Sequence, residues 1–186
     1  MDKAASISIS DAARRSTQTL ATRMNRVALV FALSLAWWAS SFAGSPGGTV
    51  PSDVEAWLKH HIASLKTIDG EPVPYYPQFN SYAEGHLNGR PAVAVVFTLE
   101  GIGGGVNWQR MLAVFWKRHG MNEFCCSRQV GGKGIRSADD IEFVAGKLRV
   151  RGNTYAPSDG LCCPSKPYST LIAVEKSQLV ESGSGG

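Results

Sequence analysis

Ala92-Val93-Ala94-Val95-Val96-Phe97-Thr98-Leu99 is the stretch on which the fold turns. Thr98 is its only polar residue, and β-branched and aromatic side chains fill much of the rest. A run of that kind predicts a central strand buried on both faces, because an edge or half-wet strand would alternate apolar with polar residues. Met111 to Trp116 repeats the pattern, and Gly101-Ile102-Gly103-Gly104-Gly105 between the two runs reads as a hairpin loop. Further on, Glu123 to Val130 reads as a third strand. Ile141, Phe143 and Ala145, then Leu148 and Val150, make a hairpin about Gly146-Lys147, with Glu142, Arg149 and Arg151 on its wet side. Thr170 to Val174 gives a last strand.

Ahead of the strands, Ser52 and Glu55 have the spacing of a capping box. Val54, Trp57, Leu58, Ile62 and Leu65 then recur every three or four residues, which predicts an amphipathic helix running to Lys66 and ended by Asp69-Gly70. One helix followed by a run of strands predicts an α+β fold, with the N-terminal amphipathic helix packed on an antiparallel sheet of about five to six strands. Residues 51–178 form the single expected domain, after a Gly/Pro/Ser/Thr linker at 44–50 and before a flexible tail at 179–186.

The first quarter of the chain has a different character. Met24-Asn25-Arg26 precedes an apolar run from Val27 to Leu33, then Leu35, Ala36 and two tryptophans, then the small residues Ser41-Phe42-Ala43. A basic end, a short apolar stretch and a small-x-small site predict a secretory signal peptide cleaved before Gly44, with translation starting at Met24 and residues 1–23 an over-long extension. Val27 to Ala43 is broken by serines and falls short of the ~20 apolar residues of a spanning helix, so the mature form is expected to carry no membrane span. A soluble periplasmic or secreted product follows. Residues 1–43 hold five Lys or Arg and two acids, so the whole-chain balance of 19 against 15 falls to 14 against 13 in the mature chain. The basic pI belongs mostly to the leader and offers no argument for a nucleic-acid partner.

Cys125-Cys126 and Cys162-Cys163 are the only cysteines. In an oxidising compartment an even count reads as disulfides, and four cysteines allow three pairings. A bridge within an adjacent pair must fit a Cα spacing of about 3.8 Å, below the usual disulfide range. A bridge between the segments would close a loop of nearly forty residues and contribute about 4 kcal/mol, so it is the expected pairing. Zinc sites usually separate paired ligands by two to four residues, and a thiol oxidoreductase would carry Cys-x-x-Cys, so a structural role outweighs a metal or catalytic one.

Ser158-Asp159-Gly160-Leu161-Cys162-Cys163-Pro164-Ser165 resembles the Asp-x-x-Cys-Cys-Pro-Ser segment of small, uncharacterised exported bacterial proteins. There too it follows a stretch similar to Gly85-His86-Leu87-Asn88-Gly89-Arg90-Pro91-Ala92-Val93-Ala94-Val95. That stretch in turn resembles the calcium loop of FG-GAP-type repeats. His86 replaces the first acid and Arg90-Pro91 the Asp-Gly, so the expectation is an Asn88-Gly89 turn with no calcium and no cofactor.

Candidate chemistry is sparse. His60, His61, His86 and His119 lack metal-ligand spacing, and no nucleophile elbow or phosphate loop is present. The basic residues Arg128, Lys133, Arg136, Lys147, Arg149 and Arg151 make either a binding face, with Arg128, Arg149 and Arg151 as its candidates, or, as is favoured, a solvated outer face that Asp139, Asp140 and Glu142 are close enough in sequence to neutralise. Tyr75 and Tyr76, set among Pro72, Pro74 and Pro77, either line a groove or pack over the helix. These residues and His86 are the candidate binding positions. Two functions compete. The first is an exported, non-catalytic module that binds a protein partner in the cell envelope, such as an inhibitor or immunity protein. The second is an envelope enzyme with a dispersed site near Glu84 and His86.

Overall fold

The computed structural model describes residues 49–104, 107–160 and 163–182. The expected signal peptide, the 44–48 part of the linker and Cys162 lie outside them. Helix α1 (Ser52–Ala63) precedes β1 (Ser81–Leu87), β2 (Arg90–Glu100), β3 (Trp108–Arg118), β4 (Met121–Gly132), β5 (Asp140–Val144), β6 (Lys147–Thr154), β7 (Lys166–Glu175) and β8 (Gln178–Ser182). The strands form two antiparallel four-stranded sheets, ordered β1-β2-β3-β4 and β5-β6-β7-β8.

This corrects the expected α+β fold, in which a helix covered one sheet. The molecule is mostly β. The physical reason lies in β2 and β3, whose two faces are both apolar and therefore need two covers. Val93, Val95, Phe97, Ala113 and Phe115 face α1 through Val54, Leu58 and Ile62. Ala92, Ala94, Val96, Leu112 and Val114 point the other way, onto Ile141, Leu148, Val150, Ile172 and Val174 of the second sheet. The layers are thus helix, sheet, sheet. Each fully buried large side chain, such as Phe97 or Leu148, contributes about 1.5–3 kcal/mol.

Four connections are two-residue turns in which both residues have positive φ: Asn88-Gly89, His119-Gly120, Ala145-Gly146 and Lys176-Ser177. Positive φ at both positions matches the twist of antiparallel strands, and the expected Asn88-Gly89 turn is among them. Asn88 also donates from Nδ2 to the Val174 carbonyl at 3.1 Å, joining this hairpin to the second sheet. Where β1 crosses β5, Gly85 has no room for a Cβ, which would fall among the Phe143 ring carbons.

Three smaller expectations change. The capping box does not form: Pro51 is the N-cap, no side chain caps the helix, and α1 ends at Ala63 with Ser64 as C-cap. The helix start is instead held by Asp53, whose carboxylate accepts the Asn122 backbone N–H at 2.8 Å and the Asn122 side-chain amide at 3.0 Å. Hydrogen bonds from both groups hold the Asp53 pKa below its ordinary value. The tail expected from residue 179 is a strand at its start, because Leu179 is buried against Val174 and closes the sandwich. Among the described residues, no helix is long and apolar enough to cross a membrane.

Candidate functional site

A groove of about 620 Å3 opens where the chain leaves α1 and passes the β2–β3 loop, and Thr67, Asp69, Glu71, Pro74, Glu100, Gly101 and Trp108 line it. Local hydrogen bonding shapes one wall. The Thr67 N–H donates to the Glu71 carbonyl at 2.9 Å, and the Glu71 N–H donates to Thr67 Oγ1 at 3.1 Å. The resulting tight loop carries Asp69 and Glu71, both of which line the groove. It is tied to the opposite wall by the Ile68 N–H, which donates to the Gly101 carbonyl at 3.4 Å. Gly101 has φ +76°, and a Cβ there would lie 2.8 Å from Thr67 Cγ2, so this crossing requires glycine. Glu100 and Trp108 face each other across the β2–β3 ladder, and ladder pairing fixes their separation more firmly than a loop would.

The electrostatics are one-sided. Asp69, Glu71 and Glu100 join none of the ion pairs among the described residues, and no lysine or arginine lines the groove. Glu100 accepts a hydrogen bond from the Tyr76 hydroxyl, which raises that phenol above its ordinary pKa. Tyr76 also packs near Phe79, with ring centroids 6.1 Å apart, and Phe79 and Ile68 are exposed for large apolar side chains. The lining thus combines three carboxylates with the Trp108 indole, and the Tyr76 phenol reaches it through Glu100. Arg110 holds one flank without touching the groove. Buried within the sandwich, it donates from Nη1 to the Phe79 carbonyl at 2.8 Å and to Thr98 Oγ1 at 2.7 Å, and from Nε to the Ala138 carbonyl at 2.8 Å. Burial lowers its pKa, and Asp139 opposes that shift.

Of the candidate binding residues, only Tyr76 comes near this groove. Tyr75 packs against the helix-side core and accepts a hydrogen bond from Asn80 Nδ2 at 3.0 Å. Arg149 and Arg151 share the outer face of the second sheet, where Glu142 pairs with Arg149 at 2.8 Å and also reaches Arg151, and Asp140 pairs with Arg151 at 3.2 Å. That face carries its own counter-charges. Arg128 lies elsewhere, at the β4–β8 end of the sandwich, donating to the Leu179 carbonyl at 3.0 Å. Beside it, Arg136 clasps Glu181 with contacts of 3.0 and 2.9 Å, and Tyr168 donates to the same carboxylate at 2.6 Å. The three expected arginines therefore form no common patch.

Glu84 and His86 lie two residues apart on β1, both exposed, and Glu84 is engaged by Lys117. The Asp-x-x-Cys-Cys-Pro-Ser segment folds on itself. Asp159 accepts the Ala156 N–H at 2.7 Å and both the N–H and hydroxyl of Ser165 at 2.8 Å, and these bonds lower its pKa. The first and last residues of the segment are thus partners in closing a loop. Cys125 and Cys126 are free thiols on β4, so the expected bridge to the second cysteine segment is not formed. Cys163 has a partner of its own. Among the described residues, no cluster of three or more His, Cys, Asp or Glu could hold a metal ion.

The sequence reading missed the acidic groove because its residues fall in three separated segments. Asp69 and Glu71 were readable only as helix-ending turn residues, and Glu100 and Trp108 only as strand ends. Their convergence depends on the β2–β3 register. No family model matches this chain, and no curated protein or solved structure is significantly similar to it.

Proposed function

We propose that this protein is an exported, non-catalytic binding module of the cell envelope, and that it captures a lysine- or arginine-rich segment of another protein in the acidic groove. One observation carries the reading. Glu84, Asp140, Glu142 and Glu181 each have a cationic partner, whereas Asp69, Glu71 and Glu100 converge on one groove in whose lining, among the described residues, there is no lysine or arginine. A groove with carboxylate walls and indole and phenol rings suits a cationic side chain. The carboxylates supply charge attraction, and the rings take the cation over their faces at about 0.5–2 kcal/mol each. An inhibitor or immunity protein acting on a basic envelope enzyme or toxin is the concrete form that fits a small exported domain. Export itself rests on the apolar run and small-residue site before Gly44, and the N-terminal residue of the protein recovered from the periplasm or medium tests it. Gly44 is expected, and Met1 on a membrane-bound product would sink the idea.

Calorimetric titration with a short Lys/Arg-rich peptide and an acidic peptide of equal length tests the binding. The basic peptide should bind at low salt and weaken as salt rises, because surface charges more than about 10 Å apart are screened at 0.1 M. Glu71→Gln with Glu100→Gln should weaken binding by about tenfold, roughly 1.4 kcal/mol. Asp140→Asn with Glu142→Gln, on the compensated face, should change it little. Equal binding of both peptides, or none of either, would overturn the proposal.

A further inference from the structure

The two thiols of β4 form a site that the groove does not use. In a regular strand, neighbouring side chains point to opposite faces, so adjacent cysteines should be apart. Here Phe115 pairs with Phe124 while Val114 pairs with Cys126, which leaves Cys125 as the extra residue of a β-bulge. The bulge turns both side chains toward the second sheet, where Cys126 is part of the inter-sheet core and Cys125 packs at its margin. Their Sγ atoms lie 3.0 Å apart. The two differ in access, Cys125 being half-buried and Cys126 buried.

We infer that Cys125 and Cys126 are a redox pair that closes reversibly into a ring disulfide by thiol–disulfide exchange with an incoming disulfide. The more accessible sulfur takes the first step. Cys125 loses its proton to solvent and its thiolate attacks one sulfur of the incoming disulfide. A Cys125–S bond forms, the incoming S–S bond breaks, and one thiolate leaves and is protonated. Cys126 then loses its proton and attacks the Cys125 sulfur, expelling the second thiolate. The protein's two thiols are oxidised to one disulfide, and the incoming disulfide is reduced to two thiols. Burial, and the neighbouring Cys125, push the Cys126 thiol up to about 12, so the first attack falls to Cys125, and Cys126 enters only through its proximity to the mixed disulfide formed there.

The ring spans adjacent residues whose Cα spacing is below the usual disulfide range, so it is strained and easily reopened. The bulge supplies what a regular strand lacks, an irregular backbone that can bend to accommodate it. Ring closure acts next to Phe124, which stacks on Trp57 of α1 at 4.3 Å, so oxidation would be felt at the helix–sheet contact.

The test uses the reduced full chain in glutathione buffers of rising oxidised fraction, followed by thiol-blocking, proteolysis and mass spectrometry. The peptide holding Phe124-Cys125-Cys126-Ser127 should become unreactive to the blocking reagent and lighter by two hydrogens, and should recover both thiols on mild reduction. Cys126→Ser should stall as a glutathione adduct on Cys125, and Cys125→Ser should give neither ring nor comparable adduct. Both thiols staying reactive throughout the series, or a cross-link from this peptide to the Cys162-Cys163 peptide, would overturn the inference. So would an adduct forming on Cys126 as readily as on Cys125.

Discussion

Arg110→Met should cost this protein about 3 kcal/mol, although the arginine lies away from the groove and carries no ion pair among the described residues. The side chain is 8% exposed and donates to two backbone carbonyls and one hydroxyl. Methionine has similar length and apolar bulk, so the cavity contribution is small. What is lost is a charged donor for the Phe79 and Ala138 carbonyls, each of which then costs roughly 1–3 kcal/mol if left unsatisfied in the interior. The Thr98 hydroxyl can rotate and loses less. Against this, removing a buried guanidinium relieves desolvation, the same cost that lowers its pKa. Two carbonyls at about 2 kcal/mol each, less about 1 kcal/mol of relief, give the figure of about 3. Urea denaturation at constant m-value should show it, and the melting temperature should fall by roughly 10 °C. Arg110→Lys keeps the charge but cannot reach all three acceptors, so it should fall between wild type and Met. A Met variant within about 0.5 kcal/mol of wild type would refute the claim that this arginine joins the first sheet to the segment at Ala138, between β4 and β5, and to the segment at Phe79, ahead of β1.

Other perturbations separate the elements. Trp57, stacked between His61 and Phe124 with its edge toward Phe115, should cost about 3 kcal/mol or more as Trp57→Ala, while Ser52→Ala, which removes no cap, should cost under about 0.5 kcal/mol. Equal losses in denaturation would mean that α1 is not docked as described. Glu181 has its pKa lowered to about 2 from 4.5, first by Arg136. Its contribution is therefore fully present above pH 4.5 and fades as pH falls toward 2, on the order of 1–2 kcal/mol after allowing for solvent screening. Glu181→Gln should flatten stability against pH across that window, and an unchanged slope would count against the Arg136–Glu181 clasp.

Much of the molecule is readable in its sequence where a residue's role is local. The apolar run at 92–99 and the Asn88-Gly89 turn took the expected form, the expected hairpin turns one residue earlier at Ala145-Gly146, and the stripe of α1 holds as far as Ile62, because periodicity and turn chemistry act over a few residues. What failed was non-local. The strand β1 is continuous, but Glu84, Gly85 and His86 break any apolar pattern in its sequence, and Gly85 makes sense only beside Phe143, 58 residues away in sequence. The second sheet follows from the need to cover the inner face of β2, and in sequence its strands look like further members of one sheet. The crossover through Gly131 and Gly132, where a Cβ would meet the Arg136 and Trp108 carbonyls, redirects the chain and looks in sequence like an ordinary hairpin loop. The bulge that brings Cys125 and Cys126 together is likewise a matter of register with β3. No spacing rule announces it.

The measurement that bears most directly on the binding reading is a residue-by-residue amide chemical-shift map of the isotopically labelled protein during titration with a Lys/Arg-rich peptide. The groove reading predicts saturable shifts concentrated at Thr67, Glu71, Glu100, Gly101 and the Trp108 indole, with the Arg149 and Arg151 face unmoved. Shifts concentrated on Asp140 and Glu142, or spread without saturation over the surface, would contradict it.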